Sequence, residues 1–269
     1  MPELPEVETV KEILKKELLH QTIRKVEVYY DGVIKNTSVE EFKKRLENQK
    51  INDIQRYGKY LIFCFDDFYM LSHLRMEGKY YVKKFGEVHS KHEHVEFFFD
   101  HFTLRYHDTR KFGTFDIVNK DDLFTESPLK NLGLEAFDDK CDLEYLRAKF
   151  LKRKPIKTLL LDQSVIAGIG NIYADEICFA VGLLPTRLGN TLTDNDLLNI
   201  KQATISILND AIKAGGTTIR SYTSQLGVTG MFQQNLNVHT MKNCKKCQTP
   251  VEKIKVGGRG TYYCPCCQK

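Results

Sequence analysis

Four cysteines near the C-terminal end constrain this 269-residue chain more than any other feature. They stand as Cys244-x2-Cys247-x16-Cys264-x2-Cys267, the spacing of a four-thiolate zinc site. Two residues between cysteines make a tight knuckle that turns two sulfurs toward one ion. Two knuckles complete a tetrahedron with bonds of about 2.3 Å. The alternative is a disulfide pair in an exported protein. Against it, the opening residues Met1 to Glu8 carry acids and no base, where a leader would be basic and then apolar. Cys64, Cys141 and Cys178 are scattered singly, so one structural Zn2+ is expected. Cys266 is a further thiol inside the second knuckle; the two-residue spacing selects Cys267 as the ligand.

Between the knuckles, residues 251–263 read as strand, glycine turn and strand, a β-hairpin with Arg259 at its tip. Gly257, Gly258 and Gly260 allow another surface to approach the backbone closely. The whole chain has a formal charge of +5, yet residues 241–269 hold seven bases against one acid. The excess therefore sits in this terminal module. Positive charge concentrated there, with an arginine at the tip, points to phosphates of a nucleic acid. Composition is otherwise that of a globular protein, 42% hydrophobic and 28% charged, with no apolar run long enough to span a membrane.

Residues 5–19 read as a helix, with Val7, Val10, Leu14 and Leu18 at helical spacing and Pro5 in the first turn. Residues 22 to about 118 hold short aromatic and β-branched runs at 26–30, 60–65, 79–82, 95–99 and 103–106, the pattern of a β-sandwich or barrel. Residues 142–214 read as helical, broken at Lys154-Pro155, at residues 167–170 and near residues 182–189. The fold class expected is α+β multidomain. An N-terminal β-sandwich with an N-terminal helix (1–125) leads through a linker (126–141) to a helical domain (142–235) and a zinc hairpin (236–269).

Several segments carry chemistry. Pro2, if Met1 is removed, is a free secondary amine; an α-amine titrates near ~7.7–8.0, so a neutral nucleophilic fraction exists at physiological pH. Glu3 and Glu6 beside it are candidate proton shuttles. The bland reading is a proline that begins a helix, with acids favouring its dipole. Gly168 and Gly170 precede an apparent helix starting near Asn171; backbone N–H groups there would suit a phosphate, and a plain helix–turn–helix fits the segment equally well. A run at 149–157 (Lys149, Lys152, Arg153, Lys154, Lys157) holds five bases and no acid, a solvated face or a phosphate contact. Met76, Arg110 and Phe112 lie in turn-like segments, where apolar side chains are either core or a wedge replacing an extruded base. His89, His92 and His94 lack a suitably spaced third partner for a metal.

Taken together, these segments resemble the formamidopyrimidine-DNA glycosylases, bifunctional DNA repair enzymes of bacterial type. The resemblance rests on residues 2–9, Gly58-Lys59-Tyr60-Leu61, His73-Leu74, residues 91–94, residues 108–113, Ile156-Lys157, residues 168–176, residues 215–220 and residues 258–261. It covers nearly the whole chain. The opening octapeptide looks like this family and not like its relative endonuclease VIII, which prefers oxidised pyrimidines.

The resemblance implies roles. Pro2 would attack C1′ of the damaged nucleotide, Glu3 would donate a proton, Lys59 would assist β-elimination, and Arg259 would grip phosphate and assist δ-elimination. His92, Arg110, Lys152, Lys157 and Asn171 would hold DNA, the last at a helix–two-turn–helix. Met76, Arg110 and Phe112 would fill the void left by the flipped base, and the loop after Gly215-Gly216 would close over it. The implied partner is double-stranded DNA with oxidised bases or abasic sites, bound by a monomer in the bacterial cytoplasm at the nucleoid. An endonuclease VIII-like enzyme and a non-catalytic DNA-binding zinc module are the alternatives. The chain departs from the family pattern at Arg75, where glycine is usual, at Thr109, where proline is common, and at His239-Thr240-Met241, where an arginine is usual.

Overall fold

The computed structural model describes residues 1–217 and 230–269. The chain divides into two compact units, one built on residues 6–130 with Met1 and Pro2, the other on residues 131–217 and 231–269 with Glu3 to Pro5.

In the first unit, helix α1 (Leu4–Leu18) forms as its apolar spacing predicts. Val7, Val10, Leu14 and Leu18 are all buried. Two four-stranded antiparallel sheets follow. One has the order β1 (Lys25–Val28), β6 (Glu93–Phe98), β7 (Thr103–His107), β5 (Lys79–Lys83). The other runs β2 (Asp53–Tyr57), β3 (Tyr60–Cys64), β4 (Phe68–His73), β8 (Thr114–Asn119). Val26, Val95, Phe97, Leu104 and Tyr106 from the first sheet share one core with Ile54, Leu61, Phe63, Met70 and Phe115 from the second. Phe115 takes edge contacts from Tyr106 and Phe42. Phe42 belongs to α2 (Val39–Leu46), a short helix that the strand-like reading of this region passed over.

The second unit carries α3 (Leu143–Phe150), α4 (Ile156–Leu161), α5 (Asn171–Ala180) and α6 (Asp194–Lys213). The breaks fall where Pro155 and the glycines place them. Thr193 and Asp196 make a reciprocal capping box at the start of α6. β9 (Glu252–Val256) and β10 (Arg259–Tyr263) pair antiparallel with Arg259 opposite Val256. The division between units falls within residues 126–141, the segment expected to be a linker. That segment is not a free tether, because Leu129, Ala136 and Cys141 are buried. No helix among the described residues is long and apolar enough to cross a membrane.

Candidate functional site

In the first unit, the β2–β3 connection is a two-residue hairpin turn, Gly58-Lys59, between the paired Tyr57 and Tyr60. Gly58 has φ +56°, as the first position of such a turn requires. The Arg56 guanidinium donates to the Gly58 carbonyl at 3.0 Å, which ties the turn carrying Lys59 to β2. Lys59 is 5% exposed. Burial, with the Arg75 and Lys59 cations, depresses the His73 imidazole to about 3. His73 is thus neutral at physiological pH, and its Nδ1 accepts from the Arg75 N–H at 2.9 Å. Arg75 has φ +51°, in the left-handed region that favours glycine. A glycine would adopt that backbone geometry without strain.

The wedge candidates lie in loops of the same unit. Phe112 is half exposed, and the Arg110 guanidinium sits 4.8 Å from its ring centroid. Their loop hangs on one buried carboxylate that the sequence reading missed. Asp108 accepts from the backbone N–H of Arg110 (2.9 Å), Phe112 (2.9 Å) and Gly113 (2.8 Å). Met76 lies half-buried in the turn after β4. His92 stacks edge-on against His107 at 5.6 Å. Beside it, Arg105 pairs with Glu93 and Glu96 and donates to the carbonyls of Glu87 and Val88, fixing the loop that carries His92.

In the second unit, the glycines before α5 serve a purpose that sequence reading placed elsewhere. Gly168 has φ +100°, and a Cβ there would lie 2.4 Å from Leu4. A Cβ on Gly170 would lie 2.2 Å from the Glu3 carboxyl carbon. The Glu3 carboxylate accepts from the N–H of Ile172 at 3.0 Å and of Tyr173 at 3.5 Å. The helix N-terminus expected to take a phosphate therefore holds the chain's own third residue, a favourable seat for a negative charge. Should Glu3 be the proton donor expected of it, Gly170→Ala would displace it and lower turnover by about 10²–10⁴-fold, the range of a lost general acid–base group. Unfolding measured alongside should shift little. An unchanged single-turnover rate would refute the seat's role.

Lys157 is also not where its charge run suggested. It is 0% exposed, the opposite of a solvated face. Its Nζ lies 2.7 Å from Asp175 Oδ1 and donates to the Gly260 carbonyl at 3.0 Å. Direct contact of this ammonium with DNA is therefore corrected to an internal role. Asn171 donates from Nδ2 to the same Gly260 carbonyl at 3.1 Å, while its Oδ1 is buried without a partner. Lys152 is half-buried and its neighbours Arg153 and Lys154 are exposed. Arg259 is exposed at the hairpin turn, where Gly257 and Gly258 have φ +54° and +81°.

The four cysteine sulfurs lie within 4.8 Å of one another, with Cys244–Cys267 at 3.9 Å and Cys247–Cys264 at 3.4 Å. Tetrahedral bonds of about 2.3 Å imply sulfur separations of about 3.8 Å. Cys244, Cys247, Cys264 and Cys267 thus fit one structural zinc, and Cys266 is exposed outside the cluster. The segment after Gly215-Gly216, expected to close over a flipped base, lies largely outside the described residues.

Comparison with known proteins covers the same ground. Residues 1–115 match the formamidopyrimidine-DNA glycosylase N-terminal domain, residues 132–223 that family's H2TH domain, and residues 242–269 the zinc finger found in FPG and IleRS. A formamidopyrimidine-DNA glycosylase of Oceanobacillus iheyensis is 46% identical, covering 100% of this chain and 98% of the relative. One of Exiguobacterium sibiricum is 44% identical, covering 100% and 99%. Among solved structures, a Lactococcus lactis FPG variant in complex with Fapy-dG-containing DNA superposes with a TM-score of 0.94 at 40% identity, covering 100% of both chains. Lactococcus lactis Fpg with abasic-site DNA gives 0.93 at 40%, covering 99% of each.

Proposed function

Because the chain belongs to the formamidopyrimidine-DNA glycosylase family, we propose that it removes oxidised purines from DNA and cuts the abasic strand through a Schiff base on Pro2. The observation that carries this reading is end-to-end likeness to proteins solved on Fapy-dG and abasic DNA. The substrate base is stacked in the duplex and must be extruded, at a cost of a few kcal/mol. Met76, Arg110 and Phe112 fill the gap; the exposed ring of Phe112 beside a cation suits insertion among bases.

The unprotonated Pro2 nitrogen attacks C1′ while the bond to the base breaks, and Glu3 supplies the proton that opens the sugar ring. The attacking nitrogen gives up its proton to the departing base, and its lone pair then forms the C1′=N bond as protonated O4′ leaves C1′, so the iminium arises without loss of water. That cation makes the C2′ proton acidic. Its removal expels the 3′-phosphate in β-elimination, and a second proton loss expels the 5′-phosphate in δ-elimination. The Lys59 ammonium and Arg259 guanidinium stabilise the departing phosphates. His92, Lys152 and Asn171 hold the DNA backbone. Zinc supplies no chemistry here; it folds the knuckles that carry Arg259. Such a substrate places the enzyme at the nucleoid of a bacterial cytoplasm.

The test is single-turnover kinetics on duplexes bearing oxidised guanine, Fapy-dG or oxidised cytosine. Faster excision of the purine lesions with β,δ-products is expected. Faster excision of oxidised cytosine would select an endonuclease VIII-like enzyme, and binding without cleavage a non-catalytic module.

A further inference from the structure

Two consecutive acids on α5, Asp175 and Glu176, are both buried, and neither is used in the chemistry above. Glu176 accepts from the backbone N–H of Asn237 (2.8 Å), Val238 (2.9 Å) and His239 (2.9 Å). That fixes the turn leading into the zinc knuckles. Asp175 is engaged on both oxygens. Oδ1 takes the Lys157 ammonium at 2.7 Å. Oδ2 accepts from His239 Nδ1 at 2.7 Å and from the Tyr262 N–H at 3.2 Å. The His239 ring packs edge-on against the Tyr262 ring at 5.1 Å.

These contacts converge on one strand. Tyr262 and Gly260 belong to β10, whose first residue is Arg259. The Gly260 carbonyl takes both the Lys157 ammonium and the Asn171 amide, and Asp175 anchors the strand two residues further on. The orientation of the Arg259 backbone is therefore set by Asp175, and Asp175 is itself oriented by His239.

We propose that His239 is a positioning residue for the arginine-dependent δ-elimination, acting through Asp175 on the strand that begins with Arg259. This rests on the reading of Arg259 given above. A carboxylate with one oxygen ion-paired to a lysine and the other hydrogen-bonded to a histidine cannot rotate without giving up the histidine's charge-assisted bond. With His239 gone, Asp175 keeps Lys157 but loses the partner that aims Oδ2 at Tyr262. β10 then gains freedom at the residue pair that presents the guanidinium. Small misplacements of a stabilising cation cost rate steeply.

The test compares His239→Leu and His239→Asn with the native protein on an abasic-site duplex, in zinc-replete protein. Three quantities are read: zinc content, the rate of borohydride trapping, and the ratio of β,δ- to β-elimination product. His239→Leu is expected to hold its zinc, trap within about twofold of the native rate, and lower the δ-elimination rate about tenfold. His239→Asn, whose amide N–H takes the place of Nδ1–H, should recover most of that loss. A His239→Leu protein with the native product ratio overturns the proposal. So does one in which trapping and δ-elimination fall by the same factor, the result of a hairpin that has merely come apart. Native protein that forms no trapped adduct would instead refute the Schiff-base reading itself.

Discussion

Protein that retains Met1 is expected to lose strand cleavage at abasic sites by about four orders of magnitude or more, the scale on which removal of a covalent nucleophile acts. The reason is electronic. In the chain Met1-Pro2 the proline nitrogen is an amide; its lone pair is delocalised into the carbonyl and does not attack carbon. After Met1 is removed, the same nitrogen is a secondary amine with a substantial neutral fraction near pH 8. Duplex binding should change far less, because Arg110, Lys152 and Arg259 are untouched. Intact mass establishes which form is present, and cleavage kinetics on each form give the comparison. Equal rates for the two would end the assignment of Pro2.

Removal of zinc is expected to abolish cleavage while leaving the first unit's sheets folded. A structural zinc contributes about 10–16 kcal/mol to the folding of a module that has little core of its own. Among the described residues, the module's buried apolar cluster is Val238, Cys244 and Cys264, with a few half-buried neighbours. By contrast the first unit has its own core of α1 and both sheets. Chelation, or Cys244→Ser, should therefore release the turn at Arg259 and weaken DNA binding by orders of magnitude. A salt titration should show the same loss as a shallower slope, about 0.9 less for each phosphate contact given up. Near-UV signals from the first unit's tyrosines should persist. Simultaneous loss of those signals would show that the metal supports the whole chain, and retained cleavage would show that the hairpin is dispensable.

Much of this was legible from residue spacing, for physical reasons. Ligand geometry is local, so Cys-x2-Cys pairs announce the zinc site without knowledge of the fold. Apolar periodicity likewise announces α1. Short elements were less visible. The sequence places α2 inside a strand region, although Ser38 and Glu41 carry a capping signal; the Ser38 hydroxyl does accept from the Glu41 N–H at 3.1 Å. The runs named from the sequence leave out β2, whose Asp53-Ile54-Gln55-Arg56-Tyr57 is mostly polar, but also β4, which opens on Phe68-Tyr69-Met70-Leu71, and β8, which holds Ile117-Val118.

What could not be read were partnerships distant in the chain. Gly170 looked like a phosphate cradle because the residue that fills it, Glu3, lies at the other end of the sequence. Lys157 looked like one more surface base in a run of five. Its burial is set by Asp175 on the next helix and by a carbonyl more than a hundred residues away. A lone buried charge is so costly that such a lysine requires a partner, but sequence alone does not say which one. The same holds for Asp108, whose carboxylate organises the wedge loop through three backbone N–H groups.

The most direct test is to reduce the protein with borohydride in the presence of oxidised-guanine duplex, digest it, and locate the attached nucleotide by mass spectrometry. The account predicts a sugar remnant on the peptide that begins at Pro2, bonded to its nitrogen. A remnant bonded to Lys59, or to any other side chain, with Pro2 unmodified would contradict it.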